Sequence, residues 1–241
     1  MIKVTATSDL HGYLPDIAEP FDLLLICGDI CPVWEPHTRG LQYEFITDVF
    51  AEWVNRLPFA DQHSRVILIG GNHDFVFDGI SKERLQVFLS AVNDGRLIYL
   101  DNEGYEYMHP EKGRLSIFGT PYCKVFGRWA FMHEDLGKYY SAIPDKVDIL
   151  MSHDAADING LGLIRMGRQE GVNAGNTVLA EHIAERDIRY YFCGHIHSGR
   201  HEMEQEGGTW TANVSLLDER YEQAYEPLTL EIEGHDVDSE D

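Results

Sequence analysis

Val66-Ile67-Leu68-Ile69-Gly70-Gly71-Asn72-His73-Asp74 runs from four apolar residues through two glycines into an amide, an imidazole and a carboxylate. The apolar run is continuous rather than alternating, which predicts a strand covered on both faces. The glycines let the backbone turn sharply just beyond it. The donor side chains then fall at the carboxyl end of a buried strand, where open α/β sheets hold their ligands.

The same pattern recurs four times. Val4-Thr5-Ala6-Thr7-Ser8 leads into Asp9-Leu10-His11, and Leu24-Leu25-Ile26-Cys27 leads into Gly28-Asp29. Ile149-Leu150-Met151 leads into Ser152-His153-Asp154, and Tyr190-Tyr191-Phe192-Cys193 into Gly194-His195-Ile196-His197. Further strands are predicted at 97–100, 115–118, 209–213 and 228–232. Helical spacing separates them: Phe45, Val49, Trp53 and Val54 within 41–56, and Leu85, Phe88, Leu89 and Val92 after Ser81. A third helix, 177–186, carries Val178, Leu179, His182 and Ile183. Strands alternating with helices predict an α/β layered fold.

The organisation reads as one domain over 1–233, followed by an acidic, disordered tail at 234–241. The stretch 120–140 is aromatic and weakly periodic, and reads as a long functional loop or lid. Its Lys124, Phe126, Arg128, Trp129 and Phe131 either cover a substrate or plug the rim of a site.

Of 241 residues, 44% are hydrophobic and 25% charged, an ordinary globular balance. Forty-one acidic residues against nineteen basic ones give a net charge of −22, which disfavours duplex nucleic acid and anionic membrane as partners. A small phosphoester is compatible with it, because bound divalent cations supply local positive charge. The N-terminus enters a strand without a secretory pattern, and no run approaches the roughly 20 apolar residues of a membrane span. A soluble, cytoplasmic protein is expected. Cys27, Cys31, Cys123 and Cys193 lack the paired spacing of a zinc site, and Cys27 and Cys193 read as small buried hydrophobes.

Side chains two apart on a strand face the same way, so Asp9 with His11, and His195 with His197, can reach one metal together. Carboxylate, amide and imidazole donors without thiolate suit Mn, Fe, Zn or Ni, and neither a Cys-zinc nor an all-oxygen calcium site. The candidate ligands are Asp9, His11, Asp29, Asn72, His153, His195 and His197. His37, His63, His109, His133, His182, His201 and His235 lack such a context and read as surface or hydrogen-bonded residues.

Asp-x-His, Gly-Asp, Gly-Asn-His, a mid-chain His and Gly-His-x-His, in this order, resemble the calcineurin-like metallophosphoesterase superfamily over residues 1–217. The resemblance implies a four-layer αββα sandwich of two mixed sheets flanked by helices. It places Asp9, His11 and His197 on one divalent metal, and Asn72, His153 and His195 on a second, with Asp29 bridging. Manganese is the first choice of metal, with Fe, Zn or Ni as alternatives. It further implies hydrolysis of a phosphoester by a metal-bridging hydroxide with His73 as general acid. Asp74 is the candidate to orient His73.

Gly119-Thr120-Pro121-Tyr122, Trp129-Ala130-Phe131 and Asn213-Val214-Ser215-Leu216-Leu217-Asp218 resemble, more narrowly, a small branch related to brain and fetal metallophosphoesterases. That likeness points to small phosphodiesters such as cyclic nucleotides. Where that branch has Gly-Pro-Pro after the mid-chain His, this chain has Asp154-Ala155-Ala156, which alters the shape and contacts of the loop.

A nuclease acting on single-stranded or short nucleic acid is the rival enzyme. It needs a basic groove, for which Lys124 with Arg128 and Arg165 with Arg168 are the available pairs; the two later arginines are also candidates to meet a phosphate. A catalytically silent scaffold would have lost ligands or the acid histidine, and none is missing. A TIM-barrel hydrolase of C–N bonds would want eight regular βα units and an early His-x-His.

Overall fold

A computed structural model describes residues 1–32, 39–91 and 93–236. His37, Val92 and the tail residues 237–241 lie outside the described residues.

Two mixed sheets stack face to face. The first has the order β11-β1-β2-β3-β4, from β1 (Ile2–Thr7), β2 (Leu23–Ile26), β3 (Arg65–Leu68), β4 (Leu97–Tyr99) and β11 (Leu228–Ile232). The second has the order β5-β6-β7-β8-β10-β9, from β5 (Glu103–His109), β6 (Gly113–Thr120), β7 (Lys146–Ser152), β8 (Asp187–Cys193), β9 (Glu204–Glu206) and β10 (Thr209–Asn213). Strands β1 to β4 are mutually parallel, as are β6, β7, β8 and β10; the outer strands β11, β5 and β9 pair antiparallel.

The continuous apolar runs are explained by alternation between two cores. Leu23, Leu25 and Ile67 point inward to meet Ile117, Ile149, Met151 and Phe192 of the facing sheet. Leu24, Ile26, Val66 and Leu68 point outward under the helices α1 (Arg39–Glu44), α2 (Ala51–Arg56), α3 (Phe75–Gly79) and α4 (Lys82–Ala91). On the other side α5 (Gly137–Tyr140) and α6 (Thr177–Ala184) cover Leu150, Tyr191 and Cys193. The order of layers is helix, sheet, sheet, helix: the expected αββα sandwich. All four cysteines are free and buried.

Two expectations are corrected. The helical stripe of 41–56 is broken, because Phe45–Phe50 between α1 and α2 is π-helical. The wider turn moves the buried face from i+4 to i+5, so Phe45 and Phe50 are buried whereas Val49 is 51% exposed. Strands β5 and β9 were not anticipated. Both lie at sheet edges, and β9 is the fully exposed Glu204-Gln205-Glu206, which carries no apolar signal. Structure also persists past residue 233: His235 exchanges backbone hydrogen bonds with Arg114, 2.9 Å each way, and its Nε2 lies 2.7 Å from Asp148 Oδ1.

Ile149 is fully buried between the sheets on the central strand β7. Ile149→Ala is expected to cost about 2–5 kcal/mol. In urea unfolding this reads as a lower midpoint with an unchanged slope.

Candidate metal centre

The strand ends converge at the seam between the sheets. The loops after β1 and β2 run side by side, Asp9 N–H donating to Gly28 O (3.0 Å) and His11 N–H to Asp29 O (2.8 Å). Asp9, His11, Asp29 and His195 all have left-handed backbone, with φ of 52°, 42°, 51° and 68°. Non-glycine residues rarely adopt this conformation, which costs of order 1–3 kcal/mol each and persists where surroundings over-determine it. Here it turns each chain back at its strand end and aims the side chain across the seam.

Two glycines are required by close approach. A methyl group on Gly71 would collide with Asp29, and one on Gly194 with Ser8 Oγ and Asp9 Oδ2.

Six of the seven predicted ligands meet through their donor atoms. Asp9, His11 and His197 offer ligand atoms within 4.8 Å of one another, and so do Asp9, Asp29 and His153. His11 Nε2 and His197 Nε2 are 3.3 Å apart, and His197 Nε2 is 3.3 Å from Asp9 Oδ1. On the other side His153 Nε2 lies 2.9 Å from Asn72 Oδ1 and 3.4 Å from Asp29 Oδ2. The same Asp29 oxygen is 3.7 Å from His11 Nε2, so Asp29 faces both groups. Asp9 belongs to both as well. The seventh, His195, stands beside them, its ring centroid 5.1 Å from that of His153 and its backbone N–H bonded to both Asp9 oxygens.

The outer contacts fix which atom each ligand presents. His153 Nδ1 donates to Cys27 O (3.0 Å) and His197 Nδ1 to Asp218 O (2.8 Å), which leaves both Nε2 atoms facing the cluster. Ser215 Oγ donates to Asp9 Oδ2 at 2.7 Å. This arrangement fits divalent cations: imidazole nitrogens, carboxylates and an amide oxygen converge, with the Nδ1 atoms of His153 and His197 already bonded elsewhere. Ser215, Asp218 and the Cys27 carbonyl escaped the sequence reading. Their roles depend on β10 lying beside β8 and on a main-chain oxygen that any residue type supplies.

The protein's own charges hold the site in register. Burial opposes ionisation of Asp9 and Asp29, but His197 beside Asp9, and His153 and His73 beside Asp29, keep both carboxyls well below the usual range. Burial pulls the His153 imidazole down, yet Asp29 and Asp9 outweigh it and push it up to about 10. Asp9 likewise brings His197 up to about 9 against its burial. Burial wins for His11, lowered to about 4, and for His195, lowered to about 3 with His153 adding repulsion.

His73 and Asp74 part company. The His73 ring packs edge-on to His11 at 5.1 Å and against Trp129 at 4.4 Å, and its backbone N–H donates to Asp29 Oδ1 (2.7 Å). Gln42 Nε2 donates to its carbonyl at 2.6 Å. Asp74 does not orient this ring. Its carboxylate accepts from the amides of Ile30, Cys31 and Gly71 at 2.8–3.1 Å, and the buried His73 Nδ1 has no hydrogen-bond partner among the described residues. Asp74 therefore braces the loops beneath the site, and burial together with nearby Asp29 raises its pKa to about 7.

A cavity of about 380 Å³ opens beside the cluster. Among the described residues Lys124 is the one lysine or arginine that lines it. Arg165 instead donates to the carbonyls of Gly160, Leu163 and Ser198, and Arg128 and Arg168 are exposed.

A third donor group, Asp22, Asp61 and His109, lies at the opposite end of β2. It is closed on itself: His109 Nε2 meets Asp61 Oδ2 at 2.8 Å, and the Lys112 ammonium provides the cation, 2.6 Å from Asp22 Oδ1.

With this geometry in hand, likeness to known proteins becomes informative. "UPF0046 protein T07D4.2" of Caenorhabditis elegans is 25% identical over 253 residues, 93% of this chain and 58% of that protein. "Probable rhamnogalacturonate lyase C" of Emericella nidulans is 24% identical over 83% of this chain and 17% of that protein. The chain thus spans well under two thirds of the length of either relative. Among solved structures, TT1561 of Thermus thermophilus aligns with a TM-score of 0.54 at 12% identity, covering 88% of each chain. Phosphopantetheinyl hydrolase of Mycobacterium tuberculosis aligns with a TM-score of 0.52 at 14% identity, covering 91% of this chain and 90% of that one. These two share the fold. The model of the calcineurin-like phosphoesterase family matches residues 2–199, which contain every candidate ligand, and the chain belongs to that family.

Proposed function

We propose that the protein hydrolyses small phosphoesters, phosphodiesters such as cyclic nucleotides foremost, at a pair of divalent metals, with manganese as the preferred ion. The observation that carries this reading is the convergence of Asp9, His11, Asp29, Asn72, His153 and His197 at one seam, with outer bonds that leave their metal-facing atoms free. Two cations there supply Lewis acidity toward phosphoryl oxygens and acidify a water. Asp9, His11 and His197 would hold one, Asn72, His153 and His195 the other, and Asp29 both. Asp29 and Asp9 bring the negative charge that offsets repulsion between the cations.

His73 stands at the edge of this cluster and lines the cavity, placed to give a proton to the departing oxygen. Its position is set by main-chain bonds and by Trp129, so removing its imidazole leaves the ligands in place. The cavity itself is amphipathic, with room for a small organic group and one cation, Lys124, rather than a polymer track. Among the described residues no helix is long and apolar enough to cross a membrane.

Metal binding and proton release are linked. In the metal-free protein His153 and His197 are charged at pH 7, and metal needs them neutral. Adding Mn²⁺ to chelated protein at pH 7 in weak buffer should therefore release about two protons per chain. Both histidines have raised pKa values, so their contribution to stability is full below the ordinary 6.5 and is lost as pH rises through 9 to 10. Thermal melts of chelated protein should fall across that window, and saturating Mn²⁺ should remove the fall.

His73→Ala should lower kcat by about 10²–10⁴ for alkyl esters, and less for p-nitrophenyl esters whose leaving group needs no proton. Metal content by elemental analysis should stay at about two per chain. Loss of one equivalent would instead make His73 a ligand.

A further inference from the structure

We propose that Phe126 and Tyr221 form a ring-binding subsite that selects phosphoesters carrying a planar aromatic or heteroaromatic group; this rests on the phosphoesterase reading above. Both residues line the cavity beside the metal cluster, and each packs on a candidate ligand of a different metal. The Phe126 ring lies 5.1 Å from His195, whereas the Tyr221 ring lies 4.9 Å from His11 and 5.3 Å from His197. Large aromatic side chains usually bury most of their area, yet Phe126 is 56% and Tyr221 47% exposed. Two half-open rings therefore stand at the mouth of a cavity whose remaining wall includes Ile164, Val172 and Ile196.

The backbone shows that Tyr221 is held there against its own preference. Its φ is 62°, a region that penalises a bulky side chain. What holds it is Asp218, whose Oδ1 accepts from the amides of Arg220 (2.7 Å) and Glu222 (3.2 Å) while its carbonyl accepts from Tyr221 N–H (2.9 Å). That same carbonyl accepts from His197 Nδ1. One residue thus fixes a metal ligand and the ring above it. Phe126 is fixed from the other loop, whose base is closed by Cys123 N–H to Phe131 O (3.0 Å) and His133 N–H to Cys123 O (3.1 Å).

A planar ring on the ester group can pack against both aromatic side chains while its phosphoryl group reaches the metals, and a methyl group cannot. The test is equilibrium binding of phenylphosphonate and methylphosphonate to the Mn-loaded protein by calorimetry, which requires no turnover. The wild type should bind phenylphosphonate about tenfold more tightly. Phe126→Leu and Tyr221→Gly should each cut that ratio by about two- to tenfold, with methylphosphonate binding retained. Tyr221→Gly should also melt no lower than the wild type, because glycine accepts this φ without strain.

An unchanged ratio in both variants overturns the subsite and leaves the phosphoesterase reading standing. A lower melting temperature for Tyr221→Gly with an unchanged ratio makes Tyr221 a packing residue only. If neither phosphonate binds the metal-loaded wild type, the phosphoesterase reading falls and the subsite falls with it.

Discussion

The structure turns on one electrostatic constraint: two buried carboxylates, Asp9 and Asp29, lie within reach of four imidazoles at the seam between two sheets. A carboxylate removed from water with no compensation protonates instead of staying charged. These two remain ionised because neighbouring histidines and main-chain amides supply positive potential that outweighs their burial. His197 and His153 carry protons in the metal-free state, and the amides of His195 and His73 point at the carboxylate oxygens. Divalent cations would satisfy the same demand with more charge. The two carboxylates thus create a demand for positive charge, which protons on His153 and His197 meet in this structure.

Meeting that constraint explains the irregular backbone around it. Strand geometry alone delivers side chains perpendicular to a sheet, into one core or the other. To bring donors from β1, β2, β3, β7 and β8 to one point, each chain must turn within a residue or two of its last ladder bond. Left-handed residues at Asp9, Asp29 and His195, and glycines packed against carboxylates at 71 and 194, accomplish this. The strain is carried by the sandwich beneath, whose parallel strands are locked by three apolar clusters. Asp74 adds to this by collecting three amides from the Gly71 and Ile30 turns, which ties the loops after β2 and β3 together.

This division between core and seam also decides what could be read from sequence. The apolar runs of β2 and β3 announced strands covered on both faces, and the polar residues after them announced the candidate site, because both signals are local. The π-helical turn at Phe45–Phe50 was not legible, since its widened register is selected by packing against the sheet rather than by residue type. Strand β9 was missed because pairing at an edge demands backbone groups, and Glu204-Gln205-Glu206 supplies them with no apolar face. Asp74 was assigned to His73 on adjacency in sequence. The chain turns between the two, and Asp74 finds amides at Ile30 and Cys31, more than forty residues away. Arg165 looked free for a phosphate, but three carbonyls were waiting for it.

The replacement of Gly-Pro-Pro by Asp154-Ala155-Ala156 can be read in the same physical terms. A Gly-Pro-Pro turn is stiff through its fixed φ angles. Asp154 achieves order differently: its buried Oδ2 accepts from Asn176 Nδ2 at 2.7 Å and from Lys124 N–H at 3.1 Å. Asn176 in turn caps α6 through Leu179 N–H and donates to Tyr140 Oη. One carboxyl group thereby joins the loop after β7, the start of α6 and the aromatic loop after β6. Lys124 completes the link, its ammonium held by the carbonyls of Ala174, which lines the cavity, and Gly175. The polar turn thus exchanges a locally rigid backbone for a network that reaches the cavity. Its consequence is that Lys124, which lines the cavity, is tied through its main-chain amide to the residue that follows His153.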